Sequence, residues 1–297
     1  MNDHTLPDAT AMGTVSLDVG DLDAMTAFYR DVILLDVLTS SGDITELGRD
    51  GLTLVRLRHR PGLPRAERRT AGLFHTALLH PDRASLATTL ASVAARSPEL
   101  YTGAGDHLVS QAFYLDDPEG NGIELYWDRP RSDWTWDAAG HVRMDTLYVD
   151  PRAFMAEHLS AGAKDYVLTH PDQRHGRPQL PAEVVGHVHL KVGQAAQAKD
   201  FYVGLLGFEL TAEMPGAVFV SAGGYHHHMA MNTWSSQGVG LRAPGLGLGR
   251  VDIVLPGADA VAAAASRLRA GGIPIADTGA AIEADDPWGN RVRLAAA

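Results

Sequence analysis

The sequence predicts an α+β fold of four similar modules, each a strand, a helix and further strands, arranged in two domains. Three observations predict it. The stretch from Gly13 to Val37 reads as an alternating strand, a turn and an amphipathic helix carrying Phe28 and Tyr29, and the stretch from Gly186 repeats it, with Phe201 and Tyr202 in the same places. Near the other end of each half, AspAspProGluGlyAsn at 116–121 recurs as AspAspProTrpGlyAsn at 285–290. A chain of 297 residues is also too long for one small domain and suits two of about 150 residues, each able to bury a core. The expected limits are 1–130 for the first domain, 131–182 for a connection and 183–297 for the second domain.

Each half divides again. The first module runs from Met12 to Arg58 and closes on the strand GLTLVRLRH, and the basic, proline-containing stretch 59–70 reads as a loop. The second opens on GLFHTALLHP, continues through a helix near 84–95 and ends in a hairpin: Val109 to Leu115 as one strand, a Pro- and Gly-containing turn, and Ile123 to Trp127 returning. Between Asp128 and Glu183 the chain predicts a helix near 151–160 and a polar loop over 170–181. The third module starts at Gly186 and ends near Trp234; the fourth starts near Gly247, has an Ala-rich helix at 259–270 and ends on RVRLAAA.

Composition narrows the function. Acidic side chains outnumber basic ones 36 to 25, a net charge of -11, which disfavours nucleic acid and anionic membrane as partners and leaves a small molecule. The absence of cysteine removes disulfides, thiolate metal sites and a thiol nucleophile. The opening residues carry no basic and then apolar signal, and no apolar run reaches the roughly 20 residues of a membrane span, so a cytoplasmic location is expected. Nothing in the sequence specifies a homo-oligomer.

Four stretches carry chemistry. Side chains alternate along a strand, so Glu124 and Tyr126 share one face while Ile123 and Leu125 take the other. A carboxylate there is ordinarily a solvated residue on the wet face of a sheet. His75 lies in the apolar strand GLFHTALL, where the ordinary reading is a core histidine bonded to a carbonyl. His187 and His189 point to one face of GHVHLKV, with Val188, Leu190 and Val192 on the other. What changes the weighing is the repeat: His75 and His187 both sit in the first strand of a module, and equivalent positions meet when modules pair. Two imidazoles and one carboxylate form the facial set that leaves open positions on a non-haem Fe(II); Zn, Mn or Ni accept the same donors. The run His226, His227, His228 sits inside an apolar strand pattern, either as an incidental cluster or as a proton shuttle beside a metal-bound substrate.

These residues resemble the vicinal oxygen chelate superfamily (glyoxalase/bleomycin resistance/dioxygenase-type βαβββ modules), and within it the type I extradiol, catechol 2,3-dioxygenase-like enzymes. The resemblance covers nearly the whole chain. DHLVSQAFYLDDPEGNGIELYW is similar to the family's closing stretch, with Glu124 at the metal carboxylate and Tyr114 at the substrate-binding tyrosine; GLFH and GHVHLKV place His75 and His187 at the histidine ligands. FVSAGGYHHHMAMNTW resembles the strand bearing the acid/base histidine, which an ungapped match places at His227, with His228 the fallback. The resemblance implies Fe(II), or Mn or another divalent ion, bound by His75, His187 and Glu124. A small aromatic diol would chelate it and react with O2. Tyr114 would donate a hydrogen bond to a substrate oxygen, and Asp106, His107 and His189 would support substrate or ligands.

The chain departs from the family pattern at the outer modules, where Thr14, Arg250 and Arg293 stand at the matching ligand positions. Module two is therefore expected to pair with module three around the metal, and module one with module four around a metal-free cavity from which two guanidinium groups repel cations. Two competitors remain: a glyoxalase-like metal lyase or isomerase, and a metal-free small-molecule (drug) binding protein of the same fold.

Overall fold

The computed structural model describes residues 5–138, 140–169 and 179–297. Module one comprises β1 (Ala11–Val19), α1 (Leu22–Asp31), β2 (Asp36–Ser41), β3 (Ile44–Arg49) and β4 (Leu52–His59). Module two comprises β5 (Gly72–Leu79), α2 (Arg83–Arg96), β6 (Tyr101–Asp106), β7 (Ser110–Asp116) and β8 (Gly122–Asp128). The connection carries α3 (Pro151–His158) and α4 (Ala161–Thr169), the second of which was not expected, and most of the expected polar loop over 170–181 lies outside the described residues. Module three comprises β9 (Val184–Lys191), α5 (Ala195–Lys199), β10 (Glu209–Met214), β11 (Ala217–Ser221) and β12 (Met229–Asn232). Module four comprises β13 (Gly247–Leu255), α6 (Ala258–Ala270), β14 (Ile275–Asp277), β15 (Ala281–Asp285) and β16 (Arg291–Ala296). All four modules are βαβββ.

Helix starts are marked in the sequence by acceptor side chains. Asp21 accepts from Ala24 N at 2.9 Å ahead of α1, and Asp82 from Ser85 N at 2.7 Å ahead of α2, each satisfying an amide that the helix itself leaves unpaired. The third module differs, because α5 continues over Asp200–Leu205 as a π-helix, closed by Leu206 N donating to Phe201 O at 2.9 Å. No helix among the described residues is long and apolar enough to cross a membrane.

The modules form two eight-stranded sheets, each drawing one module from each half of the chain. The first runs β14-β15-β16-β13-β1-β4-β3-β2 and the second β10-β11-β12-β9-β5-β8-β7-β6. At the centre of each is an antiparallel seam between modules, β1 with β13 and β5 with β9. A continuous apolar core spans both sheets and their helices, including Leu17, Phe28, Val188, Leu190, Phe201 and Leu268. The duplicated turns tie the sheets together. Asp117 accepts the Tyr29 hydroxyl at 3.1 Å, and Asp286 accepts the Tyr202 hydroxyl at 3.2 Å, each bond linking a helix of one sheet's module to a turn of the other's. A buried fork between Arg49 and Glu183, at 2.7 and 3.0 Å, adds a third tie.

Candidate metal centre

The site is laid out by strand register. One face of the second sheet carries a row across four strands: Tyr114 on β7 opposite Glu124 on β8, Glu124 beside Ala77 on β5, and Ala77 opposite His187 on β9. The adjacent row reads Gly122, His75, His189 and Ala230. His75 and His187 are therefore diagonal neighbours across the β5–β9 seam, close enough for long side chains to meet. Ala77 between them is fully buried and small, so the imidazoles and the carboxylate lean over it.

His75 Nε2 lies 3.0 Å and His187 Nε2 3.1 Å from the same oxygen, Glu124 Oε2. The donor atoms of all three residues lie within 4.8 Å of one another, and all three side chains are buried. His187 is hydrogen bonded to Glu124, but the approach of His75 is not that of a hydrogen bond, so its Nε2 stays unpartnered, as does His187 Nδ1. A buried nitrogen without a partner requires an explanation. A divalent cation between the three side chains would engage His75 Nε2, so the residues present fit such an ion. Their charge states fit it too: burial alone would raise the Glu124 carboxyl, but His187 and His75 beside it hold it well below the usual carboxylate range. Burial pulls His187 down to about 4 against the pull of Glu124, leaving the neutral imidazole that ligates metals.

A cavity of about 650 Å³ opens over these groups. Phe74 and Trp234 stand edge to face at 5.6 Å on one side, with the His189 ring 4.9 and 5.5 Å from them. Asn232 sets His189: its Oδ1 accepts from Trp234 N at 3.2 Å, which turns its Nδ2 toward His189 Nε2 at 3.0 Å. The lining also includes Met144, Asp145 and Thr146 of the connection, held there by a backbone pair between Asp106 and Leu147 at 2.9 and 2.8 Å. Sequence reasoning missed this part of the lining, because a stretch without helix or strand periodicity gives no signal of where it packs.

The remaining expected residues divide. Tyr114 lines the cavity, its hydroxyl 2.7 Å from His107 Nε2, while His107 Nδ1 lies 2.9 Å from the Asp145 carbonyl. A carbonyl only accepts, so Nδ1 carries a proton, and with that single proton on the ring Tyr114 donates to Nε2. Burial, with Glu124 nearby, pushes the Tyr114 phenol well above its ordinary range. Asp106 is not part of the cavity lining: it pairs with Arg129 and accepts from Leu108 N at 3.0 Å. His227 lines the cavity with its ring 4.1 Å from that of His187, and burial, followed by the neighbouring His187 and His226 rings, holds it well below the usual histidine range. His228 is not part of the lining; its Nδ1 accepts from Ala222 N at 3.2 Å.

A family model described as Glyoxalase/Bleomycin resistance protein/Dioxygenase superfamily matches residues 11–125 and 184–294, most of the chain and both halves of it. The chain belongs to that superfamily. Within it, the chain is 37% identical over 286 residues to a protein of Bacillus subtilis (strain 168) named catechol-2,3-dioxygenase, covering 94% of each. Among solved structures, one from Bacillus subtilis subsp. subtilis str. 168, provisionally named a dioxygenase, superposes with a TM-score of 0.64 at 13% identity, covering 98% of this chain and 86% of that one. Glyoxalase I from Zea mays superposes with a TM-score of 0.54 at 16% identity, covering 97% and 92%. At these identities the two structures share the superfamily fold and carry no more than that.

Proposed function

We propose that this superfamily member is an extradiol dioxygenase that uses Fe(II) held by His75, His187 and Glu124 to open the ring of a catechol-type diol with O2. The observation that carries the reading is the unpartnered His75 Nε2, aimed with His187 at one Glu124 oxygen beneath a mostly apolar cavity. The identity to a protein named catechol-2,3-dioxygenase supports it over most of both chains. Fe(II) there would supply one coordination sphere shared by both diol oxygens and dioxygen.

The protein's own residues do the rest. Phe74 and Trp234 line the cavity and offer apolar surface to an aromatic ring. His227, held neutral, takes a proton from the diol and later returns it. Tyr114 holds a substrate oxygen; because its proton is engaged by His107, donating to substrate requires the hydroxyl to turn from His107 toward the cavity. A glyoxalase-like lyase or isomerase would use the same fold, and dioxygen consumption separates the two. Anaerobic loading with Fe(II), followed by oxygen uptake over a panel of catechols and hydroquinones, is expected to give stoichiometric uptake with at least one diol. Metal uptake without oxygen consumption across the panel would move the assignment to the lyase or isomerase class.

A further inference from the structure

The face of β8 that presents Glu124 continues through Tyr126 to Asp128, and these two groups enter a hydrogen-bonded chain that ends at the cavity. Tyr126 and Tyr225 hydroxyls lie 2.7 Å apart, the Tyr225 hydroxyl donates to Asp128 Oδ2 at 2.7 Å, and Asp128 Oδ1 lies 3.0 Å from His226 Nε2. His226 Nδ1 then faces His227 Nδ1 at 2.8 Å. The chain is built into the seam: a Cβ on Gly186 would come within 1.7 Å of the Tyr126 hydroxyl, so only glycine leaves room for it.

The direction of each bond follows from its end. The Asp128 carboxylate only accepts, so His226 carries its proton on Nε2. A neutral His226 then has its lone pair on Nδ1, and two facing nitrogens at 2.8 Å need one donor, so His227 carries its proton on Nδ1. That leaves the lone pair of His227 on Nε2. We propose that Asp128 and His226 are positioning residues that fix His227 as the Nδ1–H tautomer, presenting a basic Nε2 to the diol. The assignment rests on the ring-cleavage reading only for what that nitrogen acts on. The tautomer itself stands on the hydrogen bonds. It is the logic by which a buried carboxylate orients a catalytic histidine, extended through a second imidazole.

The test reads the tautomer directly. On the full-length chain, 15N-labelled at histidine and without added metal, long-range proton–nitrogen correlation is expected to show a protonated Nδ1 and a bare Nε2 for His227, and the reverse for His226. His226→Gln and His227→Gln assign the signals. Asp128→Asn can offer an amide N–H to His226 Nε2 and should weaken or reverse both patterns. In the Fe(II)-loaded chain it should lower turnover roughly 100-fold with metal content unchanged. A proton on His227 Nε2 in the unaltered protein, or on both nitrogens of His226, overturns the proposal, as does a pattern indifferent to Asp128→Asn. Should that variant not fold, the spectrum of the unaltered protein decides alone. The expected tautomers in a protein that never consumes oxygen uphold the positioning role and defeat the ring-cleavage reading instead.

Discussion

The two sheets share one topology, and the same row of positions crosses both. In the second sheet the row reads Tyr114, Glu124, Ala77, His187, with His75 beside it. In the first, Glu283 pairs with Arg293 and Arg293 with Asp252; Thr14 and Arg250 fill the remaining equivalent places. The expectation that two guanidinium groups there repel cations needs correction. Arg250 bonds Asp252 at 2.6 Å and Glu283 at 2.7 Å, and Arg293 reaches Asp252 at 3.3 Å, so the charges are matched. Thr14 is turned aside, its hydroxyl donating to Thr53 O at 2.9 Å. In the first sheet Asp252 fills the position that Ala77 leaves open, with a carboxylate already bonded to Arg250 and Arg293, and no metal-ligating cluster is found there among the described residues. The contrast predicts that a metal site of this design needs an unfilled place under the donors as much as the donors themselves.

The comparison breaks most completely if the second sheet's donors are removed. His75→Ala, His187→Ala and Glu124→Ala should each lose the bound metal and with it essentially all turnover, read by elemental analysis after reconstitution; undiminished metal content in all three would overturn the centre. Next in size, His227→Ala should keep the metal and lose roughly 100- to 10,000-fold in turnover, with His228→Ala far milder because its side chain is outside the cavity lining. If the order is reversed, His228 holds the acid/base role. Ala77→Leu sharpens the argument about space: all donors remain, yet metal content should fall several-fold, with overpacking costing about 1–3 kcal/mol of stability in denaturant titration. Smallest in effect on function, Arg250→His with Arg293→Glu copies two of the three donors into the first sheet, with Thr14 still in the place of His187. It should leave one metal per chain and unaltered diol cleavage, since Asp252 still occupies the place equivalent to Ala77. A second equivalent of metal would show that donor identity alone suffices.

Much of this was legible in the sequence because the informative signals are repeats and alternation. The offset between Gly13 and Gly186 exposed the duplication. Equivalent first strands carrying His75 and His187 implied a seam between modules two and three, and alternation put Glu124 on a defined face. Compensation was harder to see. Asp252 and Glu283 look like ordinary strand residues until the register places them against Arg250 and Arg293. Asp128 was reachable in principle, standing four residues beyond Glu124 on the same face, but its partner His226 is far away in sequence. The wall formed by Met144 to Thr146 had no pattern to betray it.

The seams also bear on how the molecule is made. Both central strands of the first half, β1 and β5, take one neighbour from their own module and the other, β13 or β9, from the second half. While the chain is being synthesised, each has one row of backbone amides and carbonyls unpaired, along strands meant for the middle of a sheet. Open apolar edges of that kind recruit other strands, and pairings between residues distant in sequence form slowly. The interval between synthesis of β5 and arrival of β9 is thus when the nascent protein is most prone to bind copies of itself. The strand that ends that exposure is the one that brings His187.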